Sequence, residues 1–194
     1  MIFNSLLTGV GGEGVLLTSV VLARAASIEG YEVMGTQLHG LAQRGGSIPT
    51  HVRFGRKLYS PITPRAEADL IIGLEPVETA RYCYFADKKR TNFIIDNYPI
   101  VPLMTRMQKK KYPSLEQVKK MISPFAKRTV VTDASKICTE KFGSPIYGNV
   151  MTLGVALREG MLPLKKQSIL KAMKTTVPRG LEKNVKAFNL GLKK

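Results

Sequence analysis

The chain reads as short apolar runs separated by glycine, proline or polar breaks, with amphipathic stretches between them. Ile2-Phe3-Asn4-Ser5-Leu6-Leu7-Thr8 predicts a strand, Gly9-Val10-Gly11-Gly12-Glu13-Gly14 a tight turn, and the residues from about Gly12 to Glu29 a helix. In that helix Val15, Leu16, Val20, Leu22 and Ala23 make the predicted buried stripe, and Gly30 is the stop. Tyr31-Glu32-Val33-Met34 predicts a second strand, and the polar, glycine-rich stretch from Thr36 to Ser47 a loop or broken helix. Ile48 to Phe54 alternates as a strand does, with Pro49 at its start or on an edge. Gly55-Arg56-Lys57 then turns toward Leu58-Tyr59, which predicts a hairpin.

Further along, Ala68-Asp69-Leu70-Ile71-Ile72-Gly73 has the continuous apolar character of a parallel strand. Glu75-Pro76 opens a helix expected to reach Phe85. Asn92 to Asp96 is a strand, and the proline-bearing, basic segment 97–113 an irregular excursion. Ser114, with Gln117 at capping-box spacing, opens a helix to about Ser123. Thr129 to Asp133 is a strand, Ala134 to Phe142 a helix ended by Gly143, and Asn149–Glu159, Lys165–Lys174 and Gly180 to about Leu190 are helical. Strands alternating with helices define the α/β class: a Rossmann-like, wound, mostly parallel sheet with helices on both faces, an edge hairpin around Gly55 and a helical C-terminal flank. With 194 residues and no internal repeat, one domain over residues 1–194 is expected.

Composition changes this picture in two ways. No apolar run approaches the roughly 18 residues of a membrane span, and no basic region precedes the first one, so neither a membrane anchor nor a signal peptide is expected and the location is read as cytoplasmic. Cys83 and Cys138 are the only cysteines and do not form a CxxC pair, so no metal or cluster site is expected and both read as reduced thiols. The net charge of +16 asks for an anionic partner: nucleic acid, an anionic small ligand or an acidic protein. Basic runs gather after position 81, including Lys88-Lys89-Arg90, Lys109-Lys110-Lys111, Lys119-Lys120 and Lys127-Arg128. Aromatic residues seldom interleave with them, which argues against a single-strand nucleic-acid groove.

Two stretches carry candidate chemistry. Gly9, Gly11 and Gly14 have dinucleotide-fingerprint spacing after a strand and before a helix, where unpaired N–H groups favour an anion. Gly12 completes that turn, which also fits plain strand–helix packing. No acid stands at the tip of the second strand to hold a ribose, which opposes a standard NAD site. The second stretch places His39, Gln43, Arg44, Gly45, Gly46 and Ser47 in one loop beside the glycine turn. Arg44 has a fork suited to a carboxylate or phosphate, and His39 and Gln43 suit hydrogen-bonding positioners. Ser47 and Arg53 are secondary candidates, whereas His51 and Phe54 read as ordinary strand packing. The alternatives are a surface loop without function, a stand-alone nucleotide-binding Rossmann-like protein, and a basic nucleic-acid-binding module.

Gly9-Val10-Gly11-Gly12-Glu13-Gly14, His39-Gly40-Leu41-Ala42-Gln43-Arg44-Gly45-Gly46-Ser47, His51-Val52-Arg53-Phe54-Gly55 and Ser60-Pro61 together resemble the gamma-type subunits of 2-oxoacid:ferredoxin oxidoreductases, and most of all the small subunits of the indolepyruvate type. Ala68-Asp69, Gly73-Leu74-Glu75-Pro76, Asn149 with Leu153-Gly154, and Asn184 with Ala187-Phe188 extend the resemblance over nearly the whole chain. The resemblance implies a subunit, inactive alone, of a complex that oxidatively decarboxylates a 2-oxoacid to an acyl-CoA and reduces ferredoxin. It implies that thiamine diphosphate and iron–sulfur clusters sit on larger partner subunits, that this chain helps present CoA, and that no residue of it is itself catalytic. The family often has Gln where this chain has Glu13 and Glu where it has Gln37. A negative Glu13 inside the turn opposes a phosphate there.

Overall fold

The computed structural model describes residues 1–12, 14–37, 46–102, 105, 107–108 and 111–193. Six strands form one sheet: β1 Phe3–Val10, β2 Glu32–Gln37, β3 Ser47–Gly55, β4 Leu70–Gly73, β5 Asn92–Asp96 and β6 Arg128–Thr132, in the order β2-β3-β1-β4-β5-β6. β1, β4, β5 and β6 run parallel, while β3 is antiparallel to both β1 and β2.

Period-2 alternation divides the side chains of β1 between two cores. Leu7 joins Leu22, Val52, Ile72, Ile94 and Leu153 on one face. Leu6 joins Ile71, Phe85, Phe93, Ile95, Val118 and Ile122 on the other. The first face is covered by α1 Val15–Ile28, α5 Gly148–Arg158, α6 Lys166–Thr176 and α7 Leu181–Lys193, and the second by α2 Pro76–Arg81 and α3 Leu115–Ile122. α4 Ala134–Phe142 follows β6 and packs on α5 through Cys138 and Met151. Each fully buried Leu, Ile or Phe contributes about 1.5 to 3 kcal/mol, so the two cores, rather than the few surface ion pairs, dominate stability. The wound, mixed sheet with helices on both faces and a helical C-terminal flank matches the sequence expectation.

Three local expectations are corrected. The edge hairpin consists of β2 and β3, with Gln37 opposite Thr50 and the chain turning between residues 37 and 46. Gly55-Arg56-Lys57 simply ends β3, and the Leu58 N–H is taken by the Glu32 carboxylate at 3.1 Å. α1 buries Val15, Thr18, Ser19, Leu22, Ala25 and Ala26, whereas Leu16 and Val20 face outward. Thr18 and Ser19 can lie in the stripe because their hydroxyls donate to the carbonyls of Gly14 and Leu16 within the helix. Finally, α2 ends at Arg81, and a separate 3-10 turn, Cys83–Phe85, carries Phe85 into the core.

Candidate functional site at the carboxyl rim of the sheet

In a wound sheet, ligands bind beyond the carboxyl ends of the parallel strands, where the strand order reverses. Here β1 is that place: its chain continues through α1 toward β2 on one side, while β4, β5 and β6 extend the other. A cavity of about 440 Å³ lies over this rim. Val10, Gly11 and Gly12 supply one wall, Leu74 and Ser135 follow β4 and β6, Tyr98, Pro99 and Ile100 come from the segment after β5, and Pro145 and Ile146 of a 3-10 turn close it together with Asn149 of α5.

The glycine turn fits that wall for stated reasons. Gly9 is still within β1, opposite Ile48 of β3. Gly12 and Gly14 have φ of +104° and +81°, which L side chains rarely adopt. A Cβ on Gly14 would strike the amide of Asn149, whose Nδ2 donates to the Gly14 carbonyl at 3.4 Å. α1 therefore starts with no side-chain cap and no acid in its first turn. Two other helices that begin at this rim are capped by carboxylates. Asp96 accepts from the Ser135 N–H at 3.0 Å and from the Ser135 hydroxyl at 2.6 Å, at the start of α4. Glu75 accepts from the Glu78 N–H at 2.8 Å and from the Tyr112 hydroxyl. Among the described residues no side chain caps the N-terminus of α1, in contrast to these two.

Burial pushes the Asp96 carboxyl up to about 6, against the pull of its Ser135 hydrogen bonds. It raises Glu75 as well, opposed by the Tyr112 hydroxyl. Among the described residues the cavity lining has no charged side chain. It suits a flat, neutral group, with the first-turn backbone N–H groups of α1 left for any acceptor or anion.

Of the sequence-predicted site residues, Gly11 and Gly12 line the cavity, and Gly9 and Gly14 flank it. Gly46 accepts the Gly11 N–H at 2.9 Å, so the end of the predicted loop meets the glycine turn directly. Ser47 turns away from the cavity: its hydroxyl donates to the Glu78 carboxylate and lies 2.7 Å from the Tyr82 hydroxyl. His39, Gln43, Arg44 and Gly45, with Glu13, lie outside the described residues. Arg53 is structural. Its guanidinium donates to Asn4 at 2.8 Å and to the Ser60 carbonyl at 2.6 Å. His51 is buried, edge-on to Phe85, with Nδ1 accepting the Thr63 N–H at 3.2 Å. The sequence reading did not pick out Asp96, Ser135, Glu78 or Tyr82. The one available sign was an acid at each strand end, which has no local signature of burial.

No group of three metal-ligating side chains occurs among the described residues. The whole chain has two cysteines, fewer than the four thiolates of an iron–sulfur cluster, and burial pushes the Cys138 thiol up to about 12. No helix of the described residues is long and apolar enough to cross a membrane.

A family model described as pyruvate ferredoxin/flavodoxin oxidoreductase matches residues 4–194. Indolepyruvate oxidoreductase subunit IorB of Pyrococcus horikoshii is 35% identical over 98% of this chain and 95% of its own. The gamma subunit of a keto/oxoacid ferredoxin oxidoreductase from Geobacter sulfurreducens superposes with a TM-score of 0.68 over 98% of this chain and 96% of that one, at 21% identity. A 2-oxoglutarate:ferredoxin oxidoreductase from Magnetococcus marinus, solved with 2-oxoglutarate, coenzyme A and succinyl-CoA, superposes with a TM-score of 0.72 at 16% identity, over 99% of this chain but 30% of that longer one. The two structural likenesses bear on the fold, and the family match and the near-full-length relative bear on descent. On these, the chain belongs to the pyruvate ferredoxin/flavodoxin oxidoreductase family.

Proposed function

We propose that this chain is the small subunit of a 2-oxoacid:ferredoxin oxidoreductase of the indolepyruvate type. The observation that carries the reading is the 35% identity to an indolepyruvate oxidoreductase subunit along almost the whole of both chains. The complex oxidatively decarboxylates a 2-oxoacid, forms an acyl-CoA and passes electrons to ferredoxin. By the family resemblance its thiamine diphosphate belongs to the larger subunits, and so do its iron–sulfur clusters, because the two cysteines of this chain fall short of the four thiolates of a cluster. CoA fits this chain better: the α1 N-terminus, with no side-chain cap among the described residues, offers backbone donors to a phosphate against the opposing charge of Glu13, and the uncharged cavity beside it accommodates a planar ring. In this role Gly11, Gly12 and Gly14 shape the turn and Gly9 and Gly46 hold it. His39, Gln43, Arg44, Gly45 and Ser47 form or anchor the loop offered to the partner, with Arg44 toward an anionic group.

Co-expression with a large thiamine-binding subunit tests this. The two chains should co-purify and reduce ferredoxin with indolepyruvate and CoA, and each alone should be inactive. Arg44→Ala should lower turnover of the assembled complex roughly tenfold or more while the subunit stays folded. Failure of the chains to associate would remove the subunit reading, and an unchanged rate would remove Arg44 from the site.

A further inference from the structure

We infer that Glu78 is a positioning residue for the glycine turn, acting through Ser47. This rests on the functional reading above only in that the turn is used by the assembled enzyme. Glu78 occupies the third position of α2, whose N-cap is Glu75. In a capping box the side chain at that position returns to the N-cap amide, as Gln117 does for Ser114 in α3. The Glu78 carboxylate instead turns outward and accepts the hydroxyl of Ser47, the first residue of β3. Because the Ser47 proton goes to Glu78, the hydroxyl of Tyr82, 2.7 Å away, donates to Ser47 in turn. The residue before Ser47 is Gly46, whose carbonyl takes the Gly11 N–H at 2.9 Å. Gly11 lines the cavity. A continuous path therefore runs from the α2 carboxylate through one side chain and two backbone groups to the cavity wall.

Stability alone does not account for this arrangement. The Glu78 side chain is 9% exposed, and its ion pair with Arg81 at 3.1 Å involves a guanidinium that is 57% exposed. Such a pair contributes little in water, while the nearly buried carboxylate carries a desolvation cost. The hydrogen bond from Ser47 is charge-assisted, hence directional, and it fixes the start of β3 against α2 at the carboxyl rim. The same end of β3 is where the segment from residue 38 to 45 rejoins the sheet.

The test uses the assembled complex and five variants. Ser47→Ala and Glu78→Ala should each lower kcat/KM roughly tenfold, and the double variant should lose no more than either single one, since both remove one interaction. Ser47→Thr and Glu78→Gln, which keep a donor and an acceptor, should restore most of the rate. Amide exchange gives a readout independent of activity: in both alanine variants the Gly11 N–H should exchange about tenfold faster, while the N–H groups of Leu6 and Leu7 in the middle of β1 do not change. Full activity with unaltered Gly11 exchange, or additive losses that Ser47→Thr does not rescue, would overturn the inference. A wild-type complex with no oxidoreductase activity would instead overturn the functional reading, and the Gly11 exchange would still decide the role of Glu78.

Discussion

At the scale of single residues, two buried titratable groups pull the pH dependence in opposite directions. His51 is held at about 4, below its ordinary 6.5, first because burial deprives an imidazolium of water and second because Arg53 is near. The unfolded chain therefore takes up a proton between pH 6.5 and 4 that the folded one refuses. The stability due to neutral His51 is complete above its unfolded value and lost as pH falls toward 4. Asp96 behaves oppositely. Its carboxyl is raised from 3.8 to about 6, mainly by burial, so its contribution is complete below the unfolded value and lost as pH rises through 6. Each shift corresponds to roughly 3 kcal/mol over its window, and the two nearly cancel in between. Single variants expose them. From about pH 4 to pH 7, Asp96→Asn should gain about 3 kcal/mol relative to the wild type, and His51→Gln should lose about as much. Urea unfolding midpoints across that range are the measurement, and curves parallel to the wild type for either variant would remove the corresponding group.

At the scale of elements, α5 and α7 approach each other closely because glycine faces glycine. A Cβ on Gly191 would collide with the Met151 carbonyl and lie 3.0 Å from the Val155 nitrogen, and one on Gly154 would collide with the Phe188 carbonyl. These neighbours are backbone, which cannot rotate away. Gly191→Ala should cost about 1 to 3 kcal/mol through forced separation of the pair, whereas Gly143→Ala has open space around it and should be limited by its φ of +77°. Thermal unfolding of both variants would show which cost is larger, and an unchanged midpoint for Gly191→Ala would mean the two helices can separate freely. This packing also shows what the sequence made legible. The strand–glycine–helix start, the Ser114–Gln117 box and the buried β4 are local patterns, and they stand where expected. The β2–β3 hairpin was misplaced because the turn residues after Phe54 are strong local signals, while the true partner strand lies earlier in the chain. Thr18 and Ser19 look polar and so hid the real stripe of α1. The rim of the site was half legible: the glycines announce themselves, but Glu78 with Ser47 and Glu75 with Tyr112 are pairings across 31 and 37 residues that no local pattern encodes.

At the scale of the molecule, the two ends of the sheet differ in character. The described lining of the cavity at the carboxyl rim is uncharged, whereas the amino rim carries exposed lysines. Lys88 and Lys89 precede β5 and Lys127 precedes β6, and these ends are tied together by the Lys127 N–H donating to the Thr91 carbonyl at 2.8 Å. All three lysines are exposed. Arg90 differs, because its guanidinium is paired with Asp69 at 2.7 Å. A net charge of +16 makes the whole subunit attractive to an acidic partner at long range, but only unpaired surface charges set the orientation of the encounter. If an acidic ferredoxin approaches the complex along this end, replacing Lys88, Lys89 and Lys127 by Glu should lower kcat/KM for ferredoxin about tenfold at low ionic strength. The loss should shrink as salt screens both proteins beyond a Debye length of about 8 Å. Turnover with a small neutral electron acceptor should stay as in the wild type, since the cavity lies at the opposite rim. Steady-state rates over a salt series, with both acceptors, make the comparison. An equal loss with both would place the effect in assembly or chemistry, and no loss with either would leave the positive charge of this chain to another partner.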